Sequence, residues 1–279
     1  LVQAADPTVD FSQYAGGQLV IVAPLANACG FGGLASISPE TYTFSTGEGS
    51  VSMNVVWIKS LIFNERRQVN QLEMNYVLNH EIGHIANGPV GRGYSHASWA
   101  NCPAGQTFTD SPSSCTTERY YDPYDVLGGS YLLRDAANPY LGWLDYSTGH
   151  FTAERKRWLG WFDPAQVVTI TTNDTTQTVD LTPIEWNDAG VKMIKIQRSG
   201  ADNDYWNVEY RQPLMADGVT PTTDNIYSAA YPSLFTGALI HSFAYKDTYL
   251  DTLLLDATPT PINDASDVTV GVGQLLTDP

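Results

Sequence analysis

The six residues Asn79-His80-Glu81-Ile82-Gly83-His84 constrain this chain more than any other feature of its 279 residues. The stretch before them, Arg67 to Leu78, contains no Gly or Pro, and Leu72, Tyr76, His80 and His84 fall on one i+4 row, so a helix is expected to run through both histidines. Met74, Leu78, Ile82 and Ile85 give a second apolar row, which predicts a helix enclosed on most sides. Imidazoles four residues apart leave one helix face a turn apart and can hold one zinc ion. Glu81, rotated off that line, is free to act as a base beside the metal. The competing reading is a pair of core histidines satisfied by their neighbours.

A zinc site with one open position needs a third protein ligand. The next histidine is His96, in Gly93-Tyr94-Ser95-His96-Ala97, a GxxH unit. With it the chain resembles the metzincin metallopeptidases, whose motif is HExxHxxGxxH. Here six further residues, Asn87 to Arg92, separate the two parts. Gly88 and Pro89 are a helix stop and Gly91 and Gly93 permit tight turns, so the inserted loop is expected to bring His96 back to the metal. Glu118 or Glu154, supplied by a following helix, is the alternative third ligand.

Downstream, Tyr121-Asp122-Pro123-Tyr124-Asp125-Val126-Leu127-Gly128 is similar to the tight turn beneath the metal in gametolysin-like metzincins, with Leu127 where that family has methionine. That exchange nearly conserves volume and costs less than about 1.5 kcal/mol. Gly149 to Ala153 with Trp158-Leu159-Gly160-Trp161, Tyr205 to Arg211, and Leu254 to Pro259 also resemble that family. The resemblance implies a metzincin-like zinc peptidase domain, a secreted endopeptidase with His80, His84 and His96 as ligands and Glu81 as base, and protein or glycoprotein substrates of matrix or cell wall. Taken without it, Trp158 to Trp161 reads as a packed aromatic cluster and Tyr205 to Arg211 as a half-buried strand. Glu209 and Arg211 then form an ion pair, with a calcium or substrate contact as the lesser alternative.

A formal net charge of −16 excludes nucleic acid and anionic membranes as partners and suits a secreted protein. It leaves room for structural Ca²⁺, although no EF-hand-like loop is present. Residues 11–39 carry no charge, but Asn27, Gly30, Gly32 and Gly33 break any membrane-spanning helix, and Gln18 to Pro24 reads as a buried strand. The chain begins at Leu1, consistent with removal of a signal peptide and an inhibitory prosegment, and a monomer is expected. Cys102 and Cys115 flank a Pro/Ser/Thr-rich loop and are expected to pair, with Cys29 left as a buried thiol or as a substitute for one of them.

The expected fold class is α+β, with a catalytic domain over residues 1–163 and a β-rich, sandwich-like subdomain over 164–279. Strands are expected at 18–23, 50–58, 166–172, 177–181, 191–197, 207–211, 238–243 and 268–272, an exposed strand pair around Thr171 to Thr178, and a helix near 152–159. In the mechanism these parts imply, Glu81 moves the proton while the metal polarises the carbonyl, with Tyr131 or Tyr94 as a helper for the oxyanion. The rival from another class is a secreted glycan- or protein-binding module whose zinc site is structural or inactive.

Overall fold

In a computed structural model, described over residues 6–23, 32–37, 41–59, 77–86, 93–103, 114–120, 122, 124–128, 150–171, 176–198, 205–212, 236–245, 250–257 and 268–275, the chain forms both helices and sheets, with strand the more abundant. Two compact units result, Leu1–Ser95 with Asp247–Tyr249, and His96–Lys246 with Leu250–Pro279. The composition-based expectation placed the boundary at residue 163. Contacts instead divide the chain earlier, because the strand that begins at Tyr94 joins the second sheet.

The first unit is organised by β4, Gly49–Lys59, an eleven-residue strand. Its first half pairs antiparallel with β3, Tyr42–Thr46. Its second half lies between β1, Gln18–Ala23, to which it is parallel, and β2, Gly33–Ala35, to which it is antiparallel. Both faces of β4 are buried, as its run of Val, Met and Ile demands. Val51 and Met53 pack with Phe11, and Val55 packs with Ile21. Val56 and Ile58, on the opposite face, pack on Ile85, Val77 and Leu78 of α1, the helix seen over residues 77–85. Full burial of Ile85 stabilises this contact by about 1.5–3 kcal/mol. β1 is not the buried strand its apolar run suggests: Ile21 faces the core while Val20 and Val22 are 39% and 56% exposed. The expected helix upstream of residue 77, including Leu72, Met74 and Tyr76, lies outside the described residues, as do Cys29 and the insertion Asn87 to Arg92.

The second unit holds one seven-stranded sheet rather than a sandwich among the described residues, in the order β6-β5-β11-β10-β9-β8-β7. These strands are β5, Tyr94–Asn101; β6, Thr116–Arg119; β7, Val167–Ile170; β8, Met193–Gln197; β9, Tyr205–Tyr210; β10, Ala238–Tyr245; and β11, Leu250–Leu255. The pairs β6–β5, β11–β10, β10–β9 and β9–β8 are antiparallel, and β8–β7 is parallel. Trp206, Val208, Ile240 and Leu255 make the core on one face; Trp99, Tyr124, Leu239, Leu254 and Val268 form a second cluster. The expected strands at 177–181 and 268–272 reduce to single bridges, Leu181 to Val191 and Val270 to Ala238, since neither run finds a partner of its own length. The described part of Thr171 to Thr178 holds no strand. Cys102 and Cys115 are disulfide-bonded, closing the β5–β6 hairpin immediately beyond its last pair, Asn101 with Thr116.

A short helix, α2, covers Ala153–Trp158 as expected. It ends at Gly160, whose φ of 73° strongly favours a residue without Cβ. The N–H of Trp161 returns to Lys156 O and that of Gly160 to Arg157 O, a Schellman closure that satisfies two orphan carbonyls. Trp158 packs on Phe243 and Trp161 meets Phe151 edge-on, and the turn leaves Trp161 59% exposed. No helix among the described residues is long and apolar enough to cross a membrane.

Candidate metal centre

The helical spacing does what the sequence requires of it. His80, Glu81 and His84 are all buried on α1, and the Nε2 atoms of His80 and His84 stand 3.2 Å apart. Two Zn–N bonds of about 2.0–2.1 Å at a tetrahedral angle hold their nitrogens roughly 3.3 Å apart, so the pair fits a shared ion. His84 Nδ1–H donates to the carbonyl of Tyr94 at 2.7 Å. That bond fixes the tautomer and leaves the Nε2 lone pair for the metal.

His96 joins them. One ligand atom from each of His80, His84 and His96 lies within 4.8 Å of the others, and this is the group among the described residues that can hold a metal ion. Three neutral imidazoles suit zinc with one position open. His96 is supplied from within β5, which begins two residues before it; the inserted loop Asn87 to Arg92 lies outside the described residues. Its ring lies against Tyr120, with centroids 3.4 Å apart, and Tyr120 adopts a φ of 67° where β6 ends. Sequence reading missed Tyr120; an aromatic residue closing a hairpin gives no signal of its own. The alternative ligands are placed elsewhere. Glu118 lies on β6 and accepts from Thr116, while Glu154 is fully buried and engaged by Arg157 and Tyr205.

Glu81 is held in a dry setting, and burial pushes its carboxyl up to about 7, near the value wanted of a group that takes and returns a proton at neutral pH. Part of that enclosure comes from Gly33 on β2. A β-carbon there would fall 2.5 Å from Glu81 Cγ and 2.7 Å from Val77 Cγ1, so only glycine lets the strand pass this close. β2 is an edge of its sheet among the described residues.

Beneath β5 lies the Asp122 to Gly128 turn. The carbonyl of Leu127 accepts from the N–H of Ala97, the residue after His96, and Leu127 is fully buried. Gly128 is obligatory, because a Cβ would meet Asp122 O at 1.9 Å. The two aspartates serve the turn rather than a metal. Asp122 accepts from Tyr124 N and from His241 Nε2; Asp125 accepts from Leu127 N, Thr152 N and Arg155 Nε. Burial would raise the Asp125 carboxyl, but Arg155, the amides of Leu127 and Thr152, and Arg211 together hold it below the usual range.

Arg211 donates to Glu209 at 2.6 Å and to Tyr124 O at 2.8 Å, and Glu209 also accepts from Ala153 N. The Glu209–Arg211 ion pair is thus present and buried, with no cation needed to satisfy it. Unlike Arg211, Arg155 and His241 were not singled out in the sequence. Their signal was available: charged residues set inside otherwise apolar strand runs such as Tyr205 to Arg211 and Ala238 to Tyr245 must be paired. Tyr94 is fully buried and contributes its carbonyl, while Tyr131 lies outside the described residues. No protein-family model, curated protein or solved structure matches this chain.

Proposed function

We propose that the chain is a secreted zinc-dependent endopeptidase acting on extracellular, matrix or cell-wall proteins and glycoproteins. The observation that carries this reading is the convergence of His80, His84 and His96 beside a buried carboxylate, Glu81, that belongs to the same helix but is not among the three. A purely structural site has no use for such a base. Zinc, when bound, supplies the Lewis acid that polarises a scissile carbonyl and its water.

The residues supply the rest. His84, oriented by Tyr94 O, and His80 and His96 hold the ion with a position left open. Glu81 takes a proton from the attacking water and returns it to the leaving amine, a transfer for which a carboxyl titrating near neutrality is well matched. Among the described residues β2 is an edge strand next to Glu81, and an extended peptide pairing with it would present its backbone to the base. This favours a polypeptide substrate over a small ester or amide. The disulfide and the strongly acidic composition support an oxidising, extracytoplasmic setting.

The test sets native protein beside Glu81→Ala, measuring bound zinc and hydrolysis of a denatured protein substrate with a chelator control. One zinc in each chain and cleavage by the native chain alone supports the assignment. Zinc in both with equal cleavage, or no zinc in either, overturns it.

A further inference from the structure

The second unit contains a cavity of about 300 Å³ lined by none of the three histidines of the metal centre. Its walls include Trp161, Phe162 and Trp186. Trp161 is placed by the Schellman closure at Gly160, and Trp186 by a turn in which its N–H returns to Pro183 O. These indoles are 59% and 43% exposed, although tryptophan is among the side chains a fold gains most by covering. Two indoles left open on one cavity mark a surface kept for a ligand.

The polar groups say which ligand. Lys156 and Glu185 are buried in the cavity wall. Lys156 Nζ contacts His150 Nδ1 at 2.8 Å and donates to Ile184 O. Asp188 accepts from Lys192, Gly190 and Thr182, all through Oδ1, so among the described residues its Oδ2 stays open as an acceptor at the rim. The formal charges of Lys156, Lys192, Glu185 and Asp188 cancel. A phosphate or carboxylate would find no net positive charge here. A wholly apolar molecule would cover Asp188 Oδ2 without offering it a hydrogen bond, at a cost of about 1–3 kcal/mol.

We propose that this cavity binds a neutral pyranose ring, the sugar unit of a glycan. Such a ring has one face of C–H bonds, which lies flat on an indole, and a belt of hydroxyls that both donate and accept. Asp188 Oδ2 and the Asn187 amide at the rim match the belt, and Trp161 and Trp186 match the face. The volume is at the small end of ligand sites, sized for one ring and not for a chain of them. The inference is built on the second unit alone and does not depend on the metal.

The full-length chain is titrated, by calorimetry and tryptophan fluorescence, with the methyl pyranosides of glucose, mannose and galactose, and with galacturonate and inorganic phosphate as charged probes. At least one neutral pyranoside is expected to saturate the protein in the millimolar range. Trp161→Ala and Trp186→Ala, both at exposed positions and checked by thermal melts, are each expected to weaken it at least tenfold. Glu81→Ala binds the sugar as native protein does, so loss of the peptidase reading leaves this one standing. The proposal is overturned if no neutral pyranoside saturates, if only the charged probes bind, or if the tryptophan variants bind as tightly as the native chain.

Discussion

Gly33 and Glu81 are packed so closely that no other amino acid at position 33 leaves the carboxylate where it is. In Gly33→Ala the new methyl must displace Glu81 Cγ or Val77, neither of which is a freely swinging chain end. Overpacking of this kind costs about 1–3 kcal/mol. We expect Gly33→Ala to lose at least tenfold in kcat/KM while its zinc content stays at the native level. Steady-state kinetics with metal analysis on the same preparation checks this; loss of metal in step with activity would place the damage at the histidines instead.

His96 is the residue that turns a helical histidine pair into a group able to hold a metal ion. His96→Ala is expected to weaken zinc binding by about 100-fold or more, beyond the usual effect of removing an outer partner. Glu81→Gln, which keeps all three imidazoles, is expected to bind zinc almost as the native chain does. Zinc at 100 times its dissociation constant stabilises the folded state by about 2.7 kcal/mol. Chelation should therefore lower the Tm of the native chain and of Glu81→Gln, and leave that of His96→Ala unmoved.

The ion pair of Asp125 with Arg155 is completely buried at 2.9 Å, and it supports the turn that meets β5 at Ala97. Because the folded carboxyl titrates below its unfolded value, the pair contributes stability above about pH 3.9 and loses it as the pH falls through the folded value. Asp125→Asn leaves the Arg155 charge buried without its partner, an expected loss of about 3–5 kcal/mol at neutral pH. Urea midpoints of the native chain should drop steeply below pH 4, and those of Asp125→Asn more gently. Parallel curves would show that this pair does not couple to pH.

The disulfide closes a short loop, with a sequence separation of 13. On the chain-entropy estimate it is worth about 3 kcal/mol, all of it acting on the hairpin that carries His96 and Tyr120. The double variant Cys102→Ser, Cys115→Ser should melt several degrees lower and bind zinc more weakly. Equal zinc affinity in the two chains would confine the bond's effect to the unfolded state.

Where local spacing determined the outcome, the sequence was readable. His80 and His84 meet because a helix repeats every 3.6 residues, and β4 and β9 form where β-branched and aromatic residues run together. Less readable was β5, in which Tyr94, Ser95, Ala97, Ser98 and Trp99 are all buried. Its small Ser and Ala residues show no alternation, so no strand was expected there and His96 was read only as part of a GxxH unit. The opposite error arose at β1, where an apolar run suggested burial on both faces but one face stays open at Val20 and Val22. Most hidden were Arg155 and His241, whose partners stand 30 and 119 residues away in sequence. Pairings of that range are set by the sheet, not by any local pattern.

The three-residue strand β2, an edge of its sheet among the described residues, also bears on how these molecules behave toward one another. Whatever offers backbone donors and acceptors to an incoming chain offers them equally to a second copy or to an unfolded neighbour. At three residues, β2 presents too few hydrogen bonds to hold such a neighbour for long, yet enough to align a chain briefly. Its brevity limits the backbone edge open to a second copy, and very short edge strands are one of the ways in which folds blunt edge-to-edge growth.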